Sequence, residues 1–537
     1  MLCCPARLPF NPSSRLPGGT AISRNAVAAC NCRSLRRAVR WMSVGNRRDT
    51  CPRKIISVSA HAKLSIIAHP TLTHGVNNVK HPQPNRKRQG PDSAAEIMLG
   101  QKLALGYQKA MLYERWRKVA QERGKDIALR ELSSGRLWSF AELARDAESS
   151  PNRLDTIVHP QGHTAEFVLT VLRAWQSRSI VCPLERDQSP PTVPLPPPPC
   201  VHLKITSATT SAARVVAFTA EQLAADAVNI VATMGLRPDW PNLGAISLAH
   251  SYGFSNLVLP LLLHGIPLII APSPLPEAIR RAAEVEPALT LPAVPALWRA
   301  WHEAGAIPRN IRLAISAGAP LPANLEQAVF QTSGIKIHNF YGSSECGGIA
   351  FDAGNTPRTD DACVGAPMRN VELTVNEEGC LEVRSRAVGE TYWPEAAPTL
   401  AAGCFQTSDL AELKHGLVHL RGRLSDQINV AGRKVSPAHI EGALLLHKSV
   451  GECLVFGVPS SDADRSENIV ACVVANEPVT SEDLKQSLLT RLPAWQVPRE
   501  WWFVPALSLN PRGKISRVEW RKKFIEHRRG DAPCPLI

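Results

Sequence analysis

Between residues 220 and 339 the chain alternates short apolar runs with helix-length stretches, and this alternation limits the fold more than any other feature. Strand-like runs at 245–248, 267–271, 313–316 and 336–339 are interleaved with helical patterns at 220–233, 276–285, 295–304 and 323–332. Alternation of this kind argues for an α/β body. After Gly422 the pattern becomes that of a smaller α+β module, with strands near 452–457 and 469–475 and a helix over 481–491. No internal repeat is evident.

The same body begins near residue 110. Tyr113, Trp116, Val119 and Ala120 recur at helical spacing, and a helix over 165–175 and an apolar strand at 179–183 follow. The proline-rich stretch 189–199 can be neither helix nor central strand and reads as a stiff polyproline connector, with an SH3-type ligand as the alternative. A chain of 537 residues has room for two to four such domains.

Charge is distributed unevenly. Residues 1–97 hold sixteen Lys and Arg against three Asp and Glu, a balance of +13 out of the formal +14, so residues 98–537 carry only +1. The basic character belongs to this leader, which speaks against a nucleic-acid-binding catalyst. The leader lacks a sustained apolar period and is expected to be disordered. It reads either as an organellar transit-type segment or as translated sequence upstream of a start at Met98. Of the fourteen cysteines, five (Cys3, Cys4, Cys30, Cys32, Cys51) lie in the leader and the rest form no CxxC pair, the usage expected of reduced thiols in a cytoplasmic protein. The most apolar stretch, 257–271, is interrupted by Pro260, His264, Gly265 and Pro267. It is shorter than the about 18–20 apolar residues that a spanning helix needs, so no membrane span is expected.

Six segments carry the chemistry. Residues 206–214, TSATTSAAR, form a hydroxyl-rich loop after an apolar run; its hydroxyls, free N–H groups and terminal cation suit phosphate. His250 stands in LAHSYGF, and Ser316-Ala317-Gly318-Ala319-Pro320 is a run of small residues. Residues 339–345 read NFYGSSE, and Thr407-Ser408-Asp409 follows. The last segment is double: GRLSDQINVAGRKVSPAHIE at 422–441, then NPRGK ending at Lys514.

Taken in order, these segments resemble the motifs of adenylate-forming enzymes, the superfamily of acyl-CoA synthetases, luciferases and peptide-synthetase adenylation domains; the resemblance covers about residues 105–525. It implies a large N-terminal domain of packed α/β subdomains over 98–425 and a small mobile α+β C-terminal domain over 426–537. It implies ATP, Mg²⁺ and coenzyme A as cofactors, and a carboxylic acid activated as acyl-AMP before transfer to a thiol. Coenzyme A is the expected acceptor, since no carrier domain follows in the chain; an acyl-carrier protein is the alternative. Fatty acid metabolism is the implied setting.

Residue by residue, the resemblance assigns Thr206, Ser207, Thr209, Thr210 and Arg214 to the ATP phosphates. Both glycines usual in that loop are replaced here, by Ala208 and Ser211, and its lysine by Arg214. Gly318, Ala319, Asn339, Phe340 and Tyr341 would line the adenine, and Asp409 and Arg423 the ribose. Ser344 would face the α-phosphate and Glu345 would hold Mg²⁺. His250, with Tyr252, Gly347 and Gly348, would bound the acyl pocket. Asp426 would be the hinge, Gly432 would line the thiol tunnel, and Lys514 would stabilise charge in the adenylation transition state. The altered phosphate loop also leaves open a degenerate nucleotide-binding relative that has lost adenylation.

Overall fold

The computed structural model describes residues 111–149, 156–206, 214–460, 466–508 and 515–529. Six neighbouring strands form the parallel centre of the body. In spatial order they are Ile127–Glu131, Leu268–Ile270, Asn242–Gly244, Leu289–Ala293, Ile311–Ser316 and Ile337–Ser343. From Asn242–Gly244 the chain steps to one side for the next strand and to the other side for the one after. The order therefore reverses there, and in such sheets ligands bind outside the carboxyl ends of the strands at the reversal.

The connecting helices start and stop where local chemistry says they should. Ala220–Met234 opens on a capping box between Thr219 and Gln222 and closes on Gly235, whose φ of 66° suits the left-handed conformation. Pro276–Ala283 and Pro295–Glu303 each begin with proline in the first turn, where its missing N–H costs nothing. The latter sinks Trp298 and Trp301 completely into the core beside the sheet. Burial of side chains this large stabilises the fold by roughly 2–3 kcal/mol each.

One expectation shifts. The strand read at 245–248 lies at Asn242–Gly244. Ala245, Ile246 and Leu248 are buried without pairing, as the neighbouring strand ends at Ile270. Continuous apolar character marks burial there, not the ladder.

Beyond Ser343 the sheet continues as antiparallel strands, including Gly347–Phe351, Cys363–Pro367, Cys380–Arg384, Cys404–Lys414 and Leu417–Arg423. A second sheet pairs Ile157–Val158, Ile180–Val181, His202–Ile205, Val215–Phe218 and Thr391–Trp393 in that order. The proline-rich stretch runs without regular structure beside it, where Trp393 Nε1 donates to Pro194 O at 2.6 Å.

The segment from Ile428 has its own core. A tight hairpin joins Ile428–Val430 to Arg433–Val435, and Val450–Pro459, Glu467–Ala475 and Glu500–Phe503 form a three-stranded sheet. Helices Pro437–Leu445, Ser481–Leu489 and Arg517–Arg529 accompany them. Ile428, Ile440, Val455, Ile469 and Leu484 fill one cluster, and Phe456, Trp502, Trp520 and Phe524 another. Among the described residues no helix is long and apolar enough to cross a membrane.

Candidate active site

The predicted site residues gather at the carboxyl edge of the parallel strands. His250 follows Asn242–Gly244, Gly318 and Ala319 follow Ile311–Ser316, and Asn339 to Tyr341 lie within Ile337–Ser343. Ser316 and Asn339 are register neighbours on adjacent parallel strands, so the small-residue loop starts beside Asn339. Gly318 takes φ of 87° and is exposed with Ala319, leaving bare backbone at the surface. Asn339 and Phe340 are buried, and the Phe340 ring packs 5.8 Å from that of Tyr252. Behind this strand Glu326 sits between Lys336 and Arg358 at 2.5 and 2.8 Å, a buried ion network that stiffens it.

Asp409 is held from two sides. Its register partner across the antiparallel pair is Arg423, whose Nε donates to Asp409 Oδ1 at 2.9 Å. The Tyr341 hydroxyl donates to the other oxygen at 2.5 Å. Burial, and then the neighbouring carboxylate, push the Tyr341 hydroxyl well above the ordinary tyrosine range, so it stays a donor. Two motif residues from distant parts of the chain, Tyr341 and Arg423, thus meet on the one carboxylate of Asp409 and fix its direction.

A second group joins the phosphate-loop base to Glu345. Thr206 and Arg214 close the loop, with Thr206 N–H donating to Arg214 O at 2.8 Å and Arg214 N–H to Thr206 Oγ1 at 3.0 Å. The Arg214 guanidinium lies 5.0 Å from the centre of the Tyr392 ring, and Tyr392 donates to Glu345 Oε1 at 3.2 Å. Burial and the Glu345 carboxylate raise the Tyr392 hydroxyl as well. Tyr392 was not foreseen in the sequence; no motif includes it, and only pairing of Thr391–Trp393 with Val215–Phe218 brings it here. Ser207, Thr209 and Thr210 lie outside the described residues.

Between the two groups, Ser344 Oγ is 3.0 Å from Ser251 Oγ, next to His250. His250 caps the short helix Ser251–Gly253, its Nδ1 accepting from the Tyr252 N–H at 3.3 Å. Tyr252 is buried, and burial raises its hydroxyl far above the usual range.

The remaining predicted residues lie further along. Asp426 ends a single helical turn, Leu424–Asp426, directly after Arg423. Gly432 forms the hairpin tip with Ala431, at φ of 79° and 52°, and donates its N–H to Asn429 Oδ1 at 3.0 Å. Two successive positive φ values are those of a two-residue hairpin turn, so the turn alone gives a reason for glycine. Lys514 lies outside the described residues. No group of three or more His, Cys, Asp or Glu suited to a metal occurs among the described residues.

This architecture has known counterparts. The AMP-binding enzyme family matches residues 92–394, and the AMP-binding enzyme C-terminal domain matches residues 439–514. A feruloyl-CoA synthase of an Amycolatopsis species is 27% identical over 387 residues, 67% of this chain and 78% of that protein. The fatty acid–acyl-carrier-protein ligase ScoC of Streptomyces coeruleorubidus is 30% identical over 235 residues, 40% of this chain and 45% of that protein. ATP-bound MatB from Rhodopseudomonas palustris superposes with a TM-score of 0.69 at 19% identity, covering 77% of this chain and 99% of that one. At that identity the likeness speaks for the fold.

Proposed function

The chain belongs to the AMP-binding enzyme family, and from that premise we propose that it is an acid–thiol ligase of the acyl-CoA synthetase type. The observation that carries this reading is the shared carboxylate of Asp409, gripped by Tyr341 and Arg423. A ribose diol above Asp409 would set the adenine against Tyr341 and Asn339 and the α-phosphate toward Ser344. Arg214, together with the hydroxyls of 206–210, would take the β- and γ-phosphates.

The acid enters past His250, and one of its carboxylate oxygens attacks the α-phosphorus while pyrophosphate leaves. Lys514 neutralises the charge that builds on the pentavalent centre. Glu345 is the residue that would hold Mg²⁺: one hard carboxylate suffices, because this ion keeps waters and phosphate oxygens in its shell. The ion would offset the charge of the departing pyrophosphate. A thiol then attacks the acyl carbon, AMP leaves with the bonding pair, and the thiol proton passes to solvent. No nucleophile from the protein is required; positioning carries the transfer.

In this reading residues 98–425 bind nucleotide and acid, and residues 426–537 pivot at Asp426 to exchange the lysine loop for the Gly432 face. Coenzyme A is the proposed acceptor, supported by the name of the feruloyl-CoA synthase; the match to ScoC supports a carrier protein as the second. Eight free thiols among the described residues agree with a reducing, cytoplasmic setting.

Pyrophosphate exchange across a panel of acids, followed by thioester assay with coenzyme A and with a carrier protein, tests all of this. Exchange with at least one acid is expected. Nucleotide binding without exchange for any acid would leave the degenerate relative as the better description.

A further inference from the structure

Behind the motifs lies a buried cluster with no assigned part in the chemistry. Asp226, on helix Ala220–Met234, and Lys204, on strand His202–Ile205, form an ion pair at 3.7 Å, their side chains only 2% and 3% exposed. Ser255 Oγ donates to Asp226 Oδ2 at 2.6 Å, and Lys204 Nζ donates to Ser255 Oγ at 3.3 Å. The other oxygen, Oδ1, accepts the Gly348 N–H at 3.2 Å.

Each of these partners belongs to a different part of the proposed site. Lys204 stands two residues before Thr206, at the root of the phosphate loop. Ser255 stands one helical turn after Ser251, whose hydroxyl meets Ser344. Gly348 lies in the strand Gly347–Phe351, which opens directly after the turn that holds Ser344 and Glu345. Contact at that turn is close. Gly347 has φ of 70°, and a Cβ there would fall 2.0 Å from Asp226 Oδ1. Only glycine lets the backbone lie against the carboxylate in that conformation.

Resting on the proposed activity, we propose that Asp226 is a positioning residue for adenylation, a joint that fixes Ser344 and Glu345 relative to Thr206 and Arg214 at the base of the phosphate loop. An ionised pair is a costly choice for a mere packing contact, since apolar side chains of similar volume would stabilise the interior as well or better. What the carboxylate adds is direction: it accepts from a backbone N–H on one side and a hydroxyl on the other, so three segments share one fixed point. A misplacement on the order of 1 Å in the reacting groups can slow a step by about 10²-fold.

The test uses the full chain with Lys204→Met and Asp226→Leu combined, because either change alone leaves a buried charge or acceptor without its partner. Melting temperature establishes that the variant folds. Its pyrophosphate exchange should fall by about 10²-fold, shared between kcat and the KM for ATP. Thioester formation from supplied acyl-AMP should stay within about twofold, as that half-reaction has no phosphate transfer to align. Lys204→Met with Asp226→Asn, which restores an acceptor for Gly348, should recover most of the exchange. Equal loss in both half-reactions, or full exchange in the folded Leu variant, would overturn the proposal.

A binding measurement separates this joint from the activity itself. Calorimetric affinity for ATP without acid should weaken about tenfold in the Leu variant, the scale of one lost positioned contact. Unchanged affinity overturns the joint even in a chain for which no acid is found, whereas failure of every acid with the unaltered chain counts against the activity instead.

Discussion

Arg517 reaches Asp426: its Nη1 lies 3.2 Å from Asp426 Oδ2, which ties the helix after the lysine loop to the turn proposed as the pivot. The same guanidinium donates through Nη2 to both oxygens of Glu441 at 2.7 and 2.6 Å and through Nε to Val455 O at 3.1 Å. Two residues of the 422–441 segment, Asp426 and Glu441, are thereby connected to the 515–529 segment by one side chain.

Arg517→Met should lower stability by about 2–3 kcal/mol, since two carboxylates lose a shared charge-assisted partner. Lysine in its place should recover only part, being a point charge without the planar fork. Denaturant unfolding followed by tryptophan fluorescence reads this directly. A midpoint unchanged from the parent would mean that the guanidinium contributes nothing to holding the segment.

Asp409→Asn keeps the shape of the proposed ribose clamp while replacing its carboxylate by an amide. The KM for ATP should rise by about 10–100-fold, the scale of one or two charge-assisted hydrogen bonds, with the KM for the acid little altered. Tyr341→Phe should show a smaller rise in the same constant. If both variants bound ATP normally, the ribose would have to sit elsewhere.

Lys514→Ala and Gly432→Leu should divide the reaction between them. The first should cut pyrophosphate exchange by about 10²–10³-fold and spare thioester formation from supplied acyl-AMP. The second should do the opposite. Gly432→Ala is the needed control, because any side chain at a φ of 79° brings about 1–2 kcal/mol of backbone strain. Thioester synthesis impaired equally by Ala and Leu would assign the glycine to its turn and remove the tunnel.

Stability should also fall with pH below about 6.5. His202 is fully buried between Phe218 and Phe254, and neither ring nitrogen has a partner. Burial, and then Lys204, hold its pKa well below the usual histidine value. The unfolded chain therefore binds a proton that the folded chain refuses, and stability declines from about pH 6.5 down to the lower folded value. His163 and His338 are depressed in the same direction, again chiefly by burial. Replacing His202 by Phe should flatten the decline by up to about 1.4 kcal/mol per pH unit. Unfolding free energies at pH 7.5, 6.5 and 5.5 check this; equal slopes in both proteins would refute it.

The parallel centre was legible because helical periodicity and short apolar runs are local signals. Helices expected at 220–233 and 323–332 are found at Ala220–Met234 and Ala323–Ser333. The antiparallel extension was not: Glu372–Val375 is largely exposed and offers no apolar run. The site divides in the same way. Tyr341, Asp409 and Arg423 stand in recognisable motifs and do converge. Tyr392 and Asp226 acquire their roles only through partners far away in sequence, so no spacing rule could find them. One faint signal was present: Lys204 interrupts the apolar run between Val201 and Ile205, where a charge needs a buried partner.

The direct pairing of Asp409 with Arg423 has one more implication. Arg423 is followed at once by the turn that ends in Asp426, so the strand proposed to hold the nucleotide and the proposed pivot are the same few residues. Occupancy and rotation then become reciprocal: whatever geometry of the pivot favours AMP must itself be favoured by AMP, by the same factor. A distance probe across the pivot would accordingly act as a nucleotide sensor, and product release and resetting of the enzyme would be a single event seen from two sides.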